Sequence, residues 1–267
     1  VSYVVTDIET VADFRVWDPP PPKEKKAKKP KDGEPAPPPG FEPAEDDKAP
    51  MPPIYACRPI VIGCAWLDEN LICKDMGPIT EDGNPPELSE PNMLRTWSKF
   101  MENGKKIVSW FGRGFDLPVL TSRAFYRGVP LAWYFDENYR YRYSEDKHID
   151  LCDVLSNFGA VRSGIKLDGF ARLVGLPGKP GIDGSMVGRM YEEGKYDEIV
   201  AYCMTDVIGT ALCFLRWKLI KGVDVDQYRL AVDSVFEQAK IWMDKNVVSL
   251  EIKAWLSGVD RDRAALR

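Results

Sequence analysis

Apolar positions along the chain fall into two periods. Continuous or alternating apolar runs predict strands over residues 3–10, 54–67 and 71–75, with Asp68-Glu69-Asn70 as the hairpin turn between the last two. The second run is built on Pro59-Ile60-Val61-Ile62-Gly63-Cys64-Ala65-Trp66, and a fourth strand is predicted over 106–111. Elsewhere the repeat is helical. Residues 90–102 put Met93, Leu94, Trp97, Phe100 and Met101 on one face, and 117–126 form a second helix that Gly128 helps to end. Further helices are expected over 151–158, 167–173, 185–192 and 196–220, and the tail 225–266 reads as helical with a break near Asn246. The aromatic-rich, polar stretch 132–146 reads as a loop.

Three antiparallel strands, then alternating helix and strand, then helices predict an α/β protein with a mixed five-stranded sheet and helices on both faces. One domain is expected over 1–220, with a C-terminal helical extension over 221–267. Residues 18–53 stand apart. They hold 13 of the 22 prolines, a lysine run within 23–31 and the acidic Glu45-Asp46-Asp47. Neither a helix nor a central strand crosses such a segment. It reads as a solvated insertion, either a tolerated loop or a basic flap that guides nucleic acid.

Composition narrows the chemistry. The chain has 267 residues, enough for one substantial core, and a formal net charge of −5. That charge argues against tight nonspecific binding of nucleic acid, not against an enzyme that must release a polyanionic product. The six cysteines form no C-x-x-C pair, which fits buried free thiols in a reducing, cytoplasmic setting. A single histidine, His148, excludes His-rich metal sites. No apolar run is expected to be long enough to cross a bilayer, and the first residues lack a basic leader, so no membrane partner is expected.

Three clusters carry candidate chemistry. In Val4-Val5-Thr6-Asp7-Ile8-Glu9-Thr10, alternation turns Asp7 and Glu9 to one face of an otherwise apolar strand, where a divalent cation would relieve their repulsion. The plainer reading is a sheet edge facing water. Asp116 ends Ser109-Trp110-Phe111-Gly112-Arg113-Gly114-Phe115-Asp116 at a strand–helix junction, where an N-cap is the ordinary role. Tyr202 and Asp206 are four apart on a helix apolar almost all round, so Asp206 needs a cation or a hydrogen-bond donor there; a salt bridge is the alternative.

Taken in order, D-x-E on the first strand, F-D at a later junction and Y-x-x-x-D on a late helix resemble the DEDDy branch of the DnaQ-like 3′→5′ exonucleases. Asp7-Ile8-Glu9-Thr10, the run from Gly112 to Leu120 and His148-Ile149-Asp150-Leu151 look most like stand-alone bacterial exonucleases related to the family B DNA polymerase proofreading domain. The resemblance covers about residues 1–220 and implies a ribonuclease H-like fold. It also implies two divalent cations, Mg2+ or Mn2+, held by Asp7, Glu9, Asp116 and Asp206. Asp7 would bridge both, Glu9 and Asp206 would complete the first and Asp116 would support the second. Tyr202, with help from Glu9, would orient the attacking water, and 5′-mononucleotides would be released. Where this family often has asparagine, the chain has Phe111, which could stack on a base instead.

The implied substrate is nucleic acid with a free 3′ end, single-stranded DNA first, with RNA of the ribonuclease D type as the alternative and a non-catalytic binding module as a third reading. Any proofreading would act in trans, beside a polymerase or repair partner. Thr10, Val11, Phe111, Arg113, Phe115 and Lys166 are the candidate substrate contacts, although core packing competes for Phe115. A rival third motif, His148 with Asp153, has the H-x-x-x-x-D spacing of the sister branch but leaves Tyr202 and Asp206 without a role; Asp150 is a spare carboxylate.

Overall fold

A computed structural model describes residues 1–20, 51–102, 104–136, 138–178 and 181–267. Most of the proline-rich insertion, residues 21–50, lies outside them.

The sheet runs β3-β2-β1-β4-β5 and is mixed, as the sequence pattern predicts. Central strand β1 (Tyr3–Ala12) pairs antiparallel with β2 (Cys57–Leu67), which pairs antiparallel with β3 (Cys73–Thr80). On its other side β1 runs parallel to β4 (Lys106–Ser109), and β4 parallel to β5 (His148–Asp150). β3 starts later than the apolar run at 71–75 suggests, because Leu71 has φ 69° and belongs to the turn held by Asp68. Pro78 is tolerated because β3 is an edge strand. β5, three residues long, is too short to show a period of two.

Helices cover both faces. α1 (Pro86–Met101) starts one turn earlier than its apolar stripe, with Pro91 inside it. α2 is Asp116–Arg127, and Gly128 ends it at φ 64°. The stretch read as a loop contains α3 (Ala132–Asp136) and a turn of 3-10 helix. α4 (Leu151–Leu155), α5 (Leu167–Leu173) and α6 (Val187–Glu192) lead to the long α7 (Tyr196–Ile220), whose bounds match the sequence reading. The tail forms α8 (Val225–Lys245), α9 (Leu250–Ser257) and α10 (Arg261–Ala265).

The faces of β1 divide the core. Val4 and Ile8 pack with Leu94, Trp97, Leu117 and Leu120 of α1 and α2. Tyr3 and Val5 pack with α7 and with Tyr228, Val232 and Phe236 of α8, so the tail shares a cluster with the central strand. Helix α7 is long and apolar enough to cross a membrane, contrary to the expectation that no such run exists. However, 83% of its most apolar stretch is buried within the protein, which makes it the core helix of this fold.

A buried ionic cluster anchors the carboxyl end of β1. The Arg123 guanidinium, fully buried, donates to Glu90 and to Asp13 Oδ2 (2.6 Å), and Arg127 donates to Glu90 Oε2 (2.7 Å). Burial works to raise the Asp13 carboxyl pKa, but hydrogen bonds from Arg15 and Arg123 hold it well below the usual range. The cluster ties the residues after β1 to α1 and α2, and through the Tyr55 carbonyl to the return of the chain from the insertion.

Candidate active site

Alternation along β1 turns Asp7 and Glu9 toward α7, and α7 presents Asp206 to them. One oxygen from each of the three carboxylates lies within 4.8 Å of the others. The close seating of α7 depends on Gly63, which stands opposite Asp7 in the β1–β2 register. A Cβ at Gly63 would lie 2.7 Å from Val207 Cγ2 and 2.9 Å from Cys203 Sγ. The Cys203 thiol lies 3.6 Å from Asp7 Oδ2 and 3.6 Å from the Asp7 carbonyl, bridging helix and strand at the site.

Asp116 joins from the opposite side. It is not the N-cap: Phe115 holds that position without a side-chain cap, and Asp116 is the first helical residue. β1 and β4 pair only as far as Val5 and Val108, which leaves that side of β1 open beyond Val5. The Ile8 backbone N–H faces the Asp116 carboxylate there. Burial first, then the charges of Asp150 and Asp206, push its carboxyl pKa up to about 7 against backbone N–H groups that favour the charged form. Asp7 is raised well above the ordinary range by burial and then by Asp116, Asp206 and Glu9. Carboxyl groups are thus concentrated where three chain segments, β1, α2 and α7, meet.

Tyr202 is 2% exposed and packs with Val11, Ile60 and Val61. Burial, then Asp206, Glu9, Asp7 and Asp183, raise its phenol far above the ordinary value. The hydroxyl therefore stays protonated at neutral pH. Asp183 was not singled out from sequence. It caps a turn of 3-10 helix and accepts from Ser185 N (2.7 Å), and nothing in that pattern announces its closeness to Tyr202.

The donor set suits hard divalent cations. Asp7, Glu9 and Asp206 offer carboxylate oxygens at mutual spacings that one cation can span, and the raised Asp7 and Asp116 pKa values register burial first and then repulsion, both of which such a cation would offset.

The candidate substrate contacts divide into two groups. Phe111 is 54% exposed, and its φ of 61° puts it in the left-handed region, which ends β4 two residues earlier than expected. Asp150 holds that turn by accepting from Phe111 N and Arg113 N, both 2.9 Å, while capping α4 through Cys152 N. The spare carboxylate thus has a scaffolding role. Lys166 is exposed at the head of α5, whose Leu167 and Asp168 share a cleft with Thr205 and Asp206. Thr10 is half-buried at the end of β1.

The others face inward. Val11 is a core residue, and Phe115 packs against the α1–α2 cluster. Arg113 donates to the Tyr139 carbonyl (2.8 Å) and the His148 carbonyl (2.7 Å) and faces Asp153 at 3.5 Å, so its guanidinium is an internal strut rather than a phosphate contact.

The rival third motif does not assemble a site. His148 is 1% exposed with Nε2 2.8 Å from Ser109 Oγ, and burial, then Arg113, lowers its pKa well below the ordinary value. Asp153 is paired with Arg142 at 2.6 Å and with Arg113.

A family described as a predicted 3′→5′ exonuclease related to the exonuclease domain of PolB matches residues 50–256. The matched stretch includes Asp116, Tyr202 and Asp206 and runs through α8 into α9, past residue 220, where the resemblance read from the motifs stops. β1, with Asp7 and Glu9, precedes it. No curated protein matches the chain.

Proposed function

This chain belongs to the family of predicted 3′→5′ exonucleases related to the exonuclease domain of PolB, and from that membership we propose that it removes 5′-mononucleotides from the 3′ end of single-stranded DNA. The observation that carries the reading is the meeting of Asp7, Glu9 and Asp206 within 4.8 Å, with Asp116 and Tyr202 electrostatically coupled to them.

In this proposal Asp7, Glu9, Asp116 and Asp206 hold two divalent cations, magnesium or manganese. Those cations supply charge neutralisation at the phosphate and a reactive water at neutral pH. The protein does the rest. Cys203 steadies Asp7, the Ile8 N–H steadies Asp116, and Gly63 sets the height of α7. The Tyr202 hydroxyl, held protonated, orients the attacking water beside Glu9. Phe111 offers an exposed ring to a base near the scissile phosphate, in place of the polar contact an asparagine would give. Six free cysteines suit a reducing compartment.

The test is a panel of 3′-labelled single-stranded DNA, duplex DNA and single-stranded RNA with either metal. The reading predicts stepwise mononucleotide release, fastest from single-stranded DNA. Faster release from RNA would move the assignment to an exoribonuclease, and no release from any of the three would remove the catalytic reading.

A further inference from the structure

The sequence Tyr139-Arg140-Tyr141-Arg142-Tyr143 alternates rings and guanidiniums in a segment that the site described above does not use. Tyr139 is buried and its hydroxyl donates to the Lys105 carbonyl (2.6 Å). The next residues go outward. Ser144 N bonds to the Tyr141 carbonyl (3.3 Å), closing a turn with Arg142 and Tyr143 at its tip. Tyr141 and Tyr143 are 58% and 63% exposed, yet their rings are ordered against each other at 6.1 Å, and Tyr143 meets Phe158 at 5.1 Å. Three rings therefore form a surface row, flanked by the exposed Arg140 and Arg142.

The row is tied to the Phe111–Arg113 turn through Asp153. Asp153 Oδ1 accepts from Arg142 Nη2 (2.6 Å) and Nε (3.0 Å), and its carbonyl accepts the Phe158 N–H (2.7 Å). Its Oδ2 faces Arg113, the residue whose N–H, with that of Phe111, is held by Asp150. The non-glycine residues Phe111, Asn157 and Phe158 all have left-handed backbone, φ 61°, 51° and 54°, a costly conformation that concentrates at functional surfaces.

Exposed rings with interleaved cations are what an unpaired polynucleotide requires: π faces for its bases and positive charge for its phosphates. Resting on the nuclease reading and deepening it, we propose that Tyr141, Tyr143 and Phe158 form a stacking track for the single-stranded part of the substrate, upstream of the scissile phosphate, with Arg140 alongside its backbone and Arg142 holding the track to Asp153.

The test separates track from site. Binding of a 5′-fluorescein (dT)16 is measured by anisotropy without metal, and hydrolysis of (dT)16 and of the 5′-p-nitrophenyl ester of thymidine monophosphate is measured with manganese. Tyr141→Ala with Tyr143→Ala should weaken (dT)16 binding by about fivefold or more per ring and raise KM for (dT)16, leaving turnover of the small ester unchanged. Tyr143→Phe should bind as the wild type does, and Arg140→Gln should reduce the salt dependence of binding by about 0.7 in logarithmic slope. Equal (dT)16 binding by wild type and the double variant, or no binding by the wild type, overturns the track. If the wild type hydrolyses neither substrate, the nuclease reading fails, and the anisotropy result still decides the track.

Discussion

A methyl group added to Gly63 would stand 2.9 Å from Cys203 Sγ, closer than a carbon and a sulfur can rest. The missing side chain lets α7 lie against β2 directly opposite Asp7. Gly63→Ala should therefore lift α7 at the point where it delivers Tyr202 and Asp206. We expect a stability loss of about 1–3 kcal/mol from overpacking, measured by denaturant unfolding, and a fall in nuclease turnover larger than that loss explains at temperatures where the variant is folded. Unchanged turnover in a folded variant would mean that the helix height is not set here.

Asp206 and Tyr202 share one face of α7 but have different work. Asp206→Asn should reduce turnover on the order of 10³-fold, because a charged ligand is lost. Tyr202→Phe should reduce it roughly 10- to 100-fold, because only an orienting hydroxyl is lost. Single-turnover rates with manganese check the order, and equal, near-wild-type rates for both would take this helix out of the reaction.

Asp116 gives a pH signature without metal. In the folded protein it keeps its proton up to about pH 7, whereas an unfolded aspartate releases it near pH 4. The folded state holds the extra proton between those values, so this group's contribution to stability is full below about pH 4 and is lost as pH rises toward about 7. Asp116→Asn should remove that loss. Its stability relative to wild type should rise by roughly 2–4 kcal/mol across the window in chelator. His148, whose lowered pKa acts with the opposite sign, is common to both proteins and cancels in the difference, whereas Asp7, which the Asp116 charge helps to raise, is relieved by the same substitution and adds to the difference in the same direction. A flat difference curve would show that Asp116 is already ionised.

The Arg123 cluster offers a structural control. Arg123→Ala leaves Glu90 and Asp13 buried without that cation and should cost about 3–5 kcal/mol in denaturant unfolding. Where the variant remains folded, its turnover should be close to wild type, because no group in that cluster joins the carboxylate site. A loss below about 1 kcal/mol would mean that water reaches the cluster.

How far the sequence spoke depended on the range of the interactions involved. Asp7 and Glu9 were legible because alternation on one strand is local, and the bounds of α7 because its apolar run is long. β5 was too short to show a period. Asp116 looked like a cap because only the folded chain reveals that the Ile8 N–H awaits it. Arg113 looked like a phosphate contact until Tyr139, His148 and Asp153 closed around it. Gly63 and Asp183 carried no local signal, since their roles exist only once α6 and α7 fold onto the sheet.

Manganese titration followed by electron paramagnetic resonance tests the central claim most directly. The wild type should take up two ions per chain, close enough to couple magnetically, and Asp7→Asn and Asp206→Asn should each lose that coupled signal while remaining folded. Identical uptake by all three proteins, or none by the wild type, would contradict the assignment of these carboxylates.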